Sequence, residues 1–438
     1  MRRKMLGIAI LLALSLMVLG LYALGPKSER LYAPGAVATD NVPLTQSIPL
    51  RHLASVLENK DIRKARDLIE QTPSFARAPN PEALLATMQA MNPPATEEAV
   101  GLRVMTWNVA FLDYYVGPKH WAWSPYMDVR RGGVLQAAFS GGYDVVLLQE
   151  VWRKKERSRF AQAAEEAGYW AVAPDKGYQH GLMTFVKKSI AVNKPDEVRV
   201  RPYGVQDKLE KVRVPGVKQA LLRCWLRARF EHPELGPITL FNTHMQAFPS
   251  SWAARIEQAR ELGILASERP NEELVMVAGD MNAGPYYKSN DWTRMDGVTE
   301  SVWFTNAVSY PVLLHYGELV DLSIRGRSVE DALLDVSEGR KVVNDPKRAR
   351  IEPALLLGCG GLHNNAFTAT DCNDLYRMQY GGTEAPARLD HILARDPQAR
   401  IHTAAWKHRF TGLVTDTPDG KVELSDHAAV TVDLLIKP

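Results

Sequence analysis

Beyond residue 100 the chain is built from short apolar runs that stop at polar side chains, and this pattern limits the folds open to it more than any other feature. The runs lie at 103–109, 144–151, 181–186, 220–230, 238–243, 274–278, 389–394 and 427–436. Apolar segments of this length, separated by turn residues, read as buried strands. Between two of them, Trp252, Ile256, Ala259, Gly263 and Ala266 recur every three or four residues, the spacing of a helix that lays one face on a sheet. Strands in this number behind helices predict two packed sheets with helices outside, an α/β layered domain. The sequence contains no internal repeat and no low-complexity segment.

The charge balance excludes a strongly electrostatic function. Lys plus Arg number 53 against 50 Asp plus Glu, a net charge of only +3 over 438 residues. Dedicated nucleic-acid binders carry a larger basic excess. Part of this excess is also local, because Arg2, Arg3 and Lys4 precede an uncharged apolar run at 5–24 that is long enough to cross a bilayer. The run exceeds a typical signal-peptide core, and Pro26 follows the small residues at its end. It is expected as a signal anchor or a signal peptide at 1–25, with the basic side inside and the bulk of the chain extracytoplasmic, periplasmic or secreted. Residues 26–100 then read as a linker followed by a small helical segment, and 101–438 as the catalytic domain. A long insertion at 285–382, containing Asp321 and Asp371, is expected to cover the substrate side.

The three cysteines, Cys224, Cys359 and Cys372, have no zinc-binding spacing. Cys224 reads as a buried thiol, and a Cys359–Cys372 disulfide stays open.

The ends of the apolar runs carry the chemistry. Asn108 closes one run, Gln149 and Glu150 a second, and Asn242 and His244 a third. Asp280 and Asn282 follow Val-Met-Val-Ala-Gly, while Asp390 with His391 and Asp426 with His427 flank the last two. A sheet would deliver these groups to a shared rim. Glu150, Asp426 and the amide of Asn108 are hard oxygen donors suited to Mg²⁺, with Mn²⁺ as an alternative. A histidine held by a carboxylate can take a proton from water, so Asp390 and His427 are candidates for a base dyad.

In order along the chain, these blocks form an early strand ending in Asn, a Gln-Glu, a Thr-His, a Gly-Asp-x-Asn and a final Ser-Asp-His. The set resembles the endonuclease/exonuclease/phosphatase superfamily from about residue 102 to the C-terminus. The resemblance implies a four-layered α/β sandwich in which Glu150, Asn108 and Asp426 hold the metal. It also implies that Asp280 and Asn282 orient the nucleophile and bind phosphate, that His244 stabilises phosphoryl oxygens, and that His427, oriented by Asp390, is the general base. Thr243-His244-Met245-Gln246-Ala247 is similar to a stretch of neutral sphingomyelinases, which favours a phospholipid substrate and a membrane partner over nucleic acid. An exported nuclease, a small-molecule phosphatase and an inactive membrane-anchored binding domain remain open, as does the choice between one and two metal ions.

Overall fold

The computed structural model of the chain describes residues 100–116, 119–122, 124–174, 180–206, 222–247, 251–284, 309–310, 312–322, 368–369, 373, 375–376, 378, 388–409, 415–418 and 420–437. The expected anchor, linker and helical segment, and both Cys359 and Cys372, lie outside them. Among the described residues no helix is long and apolar enough to cross a membrane.

Two six-stranded mixed sheets form the centre. The first contains β1 (Val100–Phe111), β4 (Val145–Val151), β5 (Tyr169–Val172), β6 (Met183–Lys187), β13 (Ile401–Arg409) and β16 (Ala429–Ile436), in the order β13-β16-β1-β4-β6-β5. The second contains β7 (Asp196–Pro202), β8 (Cys224–His232), β9 (Gly236–His244), β10 (Leu274–Asp280), β11 (Val320–Asp321) and β12 (Asp390–Arg395), in the order β11-β12-β10-β9-β8-β7. Two small hairpins are added, β2 (Asp113–Val116) with β3 (Lys119–Ala122), and β14 (Thr415–Thr417) with β15 (Gly420–Val422). All eight apolar runs fall on strands of the two main sheets.

The strands are buried on both faces because each residue parity has its own core. Val104, Val145, Leu147 and Val432 of the first sheet meet Ile238, Leu240, Met276 and Ile392 of the second. On the outer side of the first sheet, Met105, Trp107 and Phe185 pack on helices α1 (Met127–Ser140) and α2 (Lys154–Glu166), through Val134, Ala138, Phe160 and Ala164. Helix α3 (Trp252–Ser267) places Ile256, Ala259 and Leu262 on Phe241, Val275 and Val277 of the second sheet. The layers therefore run helix, sheet, sheet, helix.

The described part of the 285–382 insertion belongs to the second sheet and the core beside it. Tyr310, Val312 and Leu313 belong to the core under α3, and Asp321 is buried on the edge strand β11. Arg388 Nη2 donates to Asp321 Oδ2 at 2.7 Å, the Tyr310 hydroxyl donates to the same oxygen, and His391 Nδ1 lies 3.3 Å from it. Burial opposes ionisation of Asp321, but Arg388 and His391 outweigh it and hold the carboxyl well below its ordinary range. This stretch fastens the edge of the sheet. The rest of the insertion that would test the cover, Asp371 included, lies outside the described residues.

Side-chain amides join the two sheets near their functional ends. Asn242 Nδ2 donates to the carbonyls of Leu148 at 3.1 Å and Met183 at 2.8 Å, and its Oδ1 accepts from Gln149 Nε2 at 2.8 Å. Asn242→Leu keeps the volume but leaves these buried groups short of partners, each at roughly 1–3 kcal/mol. A loss of about 2 kcal/mol or more in urea unfolding is the expected result; a loss within about 0.5 kcal/mol would mean that the amide bridge is dispensable.

Candidate active site

Strand registry gathers the polar residues before any side chain bends. On the second sheet, Asp280 is paired with both His244 and Asp390, so β9, β10 and β12 set three functional residues in one row. Gly279 makes the row possible: its φ is +144°, and a Cβ there would fall 2.0 Å from the Thr243 carbonyl oxygen. On the first sheet Asn108 lies opposite Gln149, and the pairing then slips between Asn108 and Phe111. At that slip Ala110 (φ 51°) and Glu150 (φ 63°) adopt left-handed backbone, as does Asn282 (φ 46°) just after β10. Such conformations cost energy outside glycine and concentrate where a side chain must be aimed at a site.

The result is one pocket between the ends of the sheets. Asn108 Nδ2 donates to Asp280 Oδ2 at 2.9 Å and to Glu150 Oε1 at 3.3 Å, while its Oδ1 accepts from the Ala110 backbone N–H. His244 Nε2 lies 3.4 Å from Asp280 Oδ2 and 3.9 Å from Glu150 Oε1. His427 Nδ1 donates to Asp390 Oδ2 at 2.7 Å, and its Nε2 faces Asp280 Oδ2 across 4.0 Å. Asn282 fixes the loop after β10, its backbone N–H donating to Asp280 Oδ1 at 2.9 Å and its Nδ2 to the Met245 carbonyl at 3.1 Å. Asp426 is buried next to His427, and Ser425 Oγ donates to it at 3.3 Å and to the Asn108 carbonyl at 2.6 Å. The structure thus brings together Asn108, Glu150, His244, Asp280, Asn282, Asp390, Asp426 and His427.

The electrostatics are those of a crowded anionic pocket. Burial, with Asp426 beside it, pushes Glu150 up to about 7. Burial likewise raises Asp390 and Asp426, although His427 pulls both back. Burial acts to lower His427 itself, but the charge and hydrogen bond of Asp390, helped by Asp426 and Asp280, hold the imidazole well above its ordinary value. His244 moves the other way: burial, Arg223 and His427 keep it well below the ordinary range and therefore neutral.

A divalent cation fits this donor set. Glu150, Asp280, Asp390 and Asp426 are hard oxygen donors gathered at one site, and burial favours the protonated form of Glu150, Asp390 and Asp426. The Asp390 Oδ1 atom is buried without a hydrogen bond. Ligand atoms of Asp280, Asp390 and His427 also lie within 4.8 Å of one another, a different set from the Glu150, Asn108 and Asp426 expected from sequence. The 2.7 Å hydrogen bond between His427 and Asp390 commits those two to each other, which suits a base dyad better than a pair of metal ligands. Asn108 turns its amide N–H, not its oxygen, toward Glu150 and Asp280.

Several functional neighbours escaped the sequence. Arg130, fully buried on α1, donates to the carbonyls of Val109, Ala110, Pro125 and Leu424, holding together the two segments that carry Asn108 and Asp426. Burial lowers it to about 10, with Asp426 and Glu150 opposing that shift. Thr368 Oγ1 accepts from the backbone N–H groups of Leu389 and Asp390, and the Trp107 indole donates to the His427 carbonyl at 2.9 Å. Nothing in the sequence separates these residues from ordinary core or loop residues. His180 lies outside this set, buried with Nε2 on the Pro174 carbonyl and Nδ1 accepting from the Leu182 N–H.

A fold of two sheets with helices outside, carrying this pocket, defines a phosphoesterase architecture. The Endonuclease/Exonuclease/phosphatase family model matches residues 105–427, and the chain belongs to that family of metal-dependent phosphoester hydrolases. A comparison with curated proteins finds no match. Similar solved structures include sphingomyelinase C from Streptomyces griseocarneus, at 17% identity over 76% of this chain and 98% of that one, with a TM-score of 0.46. A mannosyl-6-phosphatase from Bacteroides thetaiotaomicron is 17% identical over 77% of this chain and 100% of that one, with a TM-score of 0.44. TDP2 from D. rerio with a single-strand DNA product is 15% identical over 76% of this chain and 98% of that one, with a TM-score of 0.45. Family membership rests on the sequence match.

Proposed function

We propose that the chain is a Mg²⁺-dependent phosphodiesterase that acts on a phospholipid, in the manner of a sphingomyelinase, at the outer face of the membrane holding its N-terminus. The observation that carries the chemistry is the His427–Asp390 pair facing Asp280 across a 4.0 Å gap, next to half-buried Glu150 and buried Asp426. His427 Nε2, its Nδ1–H fixed on Asp390, takes a proton from a water in that gap. The water oxygen then attacks phosphorus and the ester oxygen leaves. Asp280 orients the water through its carboxylate, and Asn282 holds the loop that presents it. Glu150 and Asp426 would hold the cation, with Asn108 steadying Glu150, and the bound ion would neutralise charge on the non-bridging phosphoryl oxygens.

Two features favour a lipid. The net charge of +3 leaves little basic surface for a polyanion, and the apolar run at 5–24 would keep the pocket near headgroups. The Thr243-His244-Met245-Gln246-Ala247 stretch agrees with this reading. The test is headgroup release from mixed phospholipid liposomes beside nicking of plasmid DNA, each with Mg²⁺ and with chelator. Lipid turnover that stops on chelation and returns with Mg²⁺, without nicking, is the expected result. Nicking without lipid turnover would replace the substrate with nucleic acid, and hydrolysis of small phosphomonoesters alone would replace it with a sugar-phosphate-like one.

A further inference from the structure

Asp390 and His391 are neighbours on β12, and strand geometry sends their side chains to opposite faces of the second sheet. Asp390 meets His427 in the pocket, whereas His391 is fully buried behind it. The His391 Nε2 atom lies 2.8 Å from the Ala283 carbonyl oxygen and 3.2 Å from that of Arg388. Carbonyls only accept, so Nε2 carries a proton and donates. Nδ1 faces Asp321 on β11 at 3.3 Å, and the ring packs on Tyr310 with centroids 4.9 Å apart. One imidazole therefore touches the loop after β10, the entry to β12 and the edge strand.

That loop carries Asn282, whose left-handed backbone (φ 46°) aims its N–H at Asp280 Oδ1 and whose Nδ2 donates to the Met245 carbonyl. A residue other than glycine keeps such a conformation only where its surroundings hold it. Two backbone features press the loop onto the entry to β12. The Met281 N–H donates to the Leu389 carbonyl at 2.8 Å, and a Cβ on Gly284 would fall 2.0 Å from the Arg388 carbonyl oxygen, so this approach needs glycine. His391 adds the side-chain bond to the junction.

We propose that His391 is a positioning residue of this site: by tying the Ala283 carbonyl to β12 it holds Asn282 in its turn and keeps Asp280 in line with Asp390. The inference rests on the phosphoester reading of the same pocket and adds a residue to it.

The test compares two variants of the full chain with Mg²⁺ present. The glutamine amide of His391→Gln reaches where Nε2 stands and can still donate to Ala283, whereas the shorter amide of His391→Asn stands nearer Nδ1 and Asp321. Hydrogen exchange, read by mass spectrometry on peptides covering 279–284, should quicken about tenfold in His391→Asn, the worth of one hydrogen bond. Exchange at 274–278 should not change. With bis(p-nitrophenyl) phosphate, kcat of that variant should fall roughly 10- to 100-fold, the cost of a misplaced catalytic group, with KM within about twofold. His391→Gln should recover most of both losses. Wild-type loop exchange or wild-type kcat in His391→Asn overturns the inference, and so do equal losses in the two variants, which would make the ring core packing alone. Loosening of the loop in His391→Asn beside a wild type that hydrolyses no phosphoester would instead sink the phosphoester reading and leave the hold on the loop.

Discussion

His427→Ala should lower phosphodiester turnover about 10²- to 10⁴-fold, the range that general-base catalysis supplies, while the protein keeps its metal-induced rise in melting temperature. The two readouts part because His427 Nδ1 is committed to Asp390, whereas Glu150 is held by Asn108. The pH profile sharpens the test. Asp390, Asp426 and Asp280 together hold the imidazole well above its ordinary value against the effect of burial. A base must lose its proton to act, so the wild-type rate should climb with pH along a limb lying alkaline of about 6.5, the ordinary histidine value. The residual rate of His427→Ala should be flat along the same limb. A variant that retains a tenth or more of wild-type turnover would remove His427 from the mechanism.

Glu150→Gln should abolish most Mg²⁺ dependence and, in the absence of metal, make the protein more stable at alkaline pH. The second effect follows from linkage. Burial and the neighbouring Asp426 raise Glu150 to about 7 in the folded chain, above the ordinary carboxyl value of about 4.3. A group raised in this way contributes its stability fully below the unfolded value and loses it as pH rises through the folded one. Metal-free wild type should therefore melt progressively lower than Glu150→Gln between about pH 4.3 and 7, with the gap fully open at pH 8. Mg²⁺ should reverse the ranking at pH 8, since the ionised carboxylate becomes a ligand in place of a charge crowded against Asp426. Differential scanning fluorimetry across pH, with Mg²⁺ and with chelator, reads both effects. Identical metal titrations of the two proteins would exclude Glu150 from the metal site.

The two predictions draw on different kinds of information, and the difference follows how the site is built. His427 and Glu150 stand out in the sequence because each ends or begins an apolar run, and a strand that stops at a polar residue announces a sheet edge. The same logic found Asn108, His244, Asp280 and Asp390. It found fewer helices: α3 shows a clean spacing of three and four, but α2 carries Glu156 and Arg157 on its buried side. Strands β5, β7 and β13 were also passed over, because β5 spans only four residues and β7 buries one side chain along its length. Nothing in the sequence marks the place of Asp321, which Arg388, His391 and Tyr310 enclose at the edge of the second sheet.

The amino-acid order alone determined the layered α/β class, the identity of the polar residues at the strand ends and the family to which their order belongs, because local hydrophobic periodicity and short motifs are written along the chain. Only the tertiary structure decided that Asp280 stands between His244 and Asp390, that Asn108 faces the carboxylates with its N–H, and that Arg130 ties together the segments carrying Asn108 and Asp426. Those facts depend on strand register, left-handed turns and contacts between segments as far apart as Arg130 and Leu424. Distance along the chain carries no trace of such contacts; they exist only once two sheets have packed and closed the pocket between them.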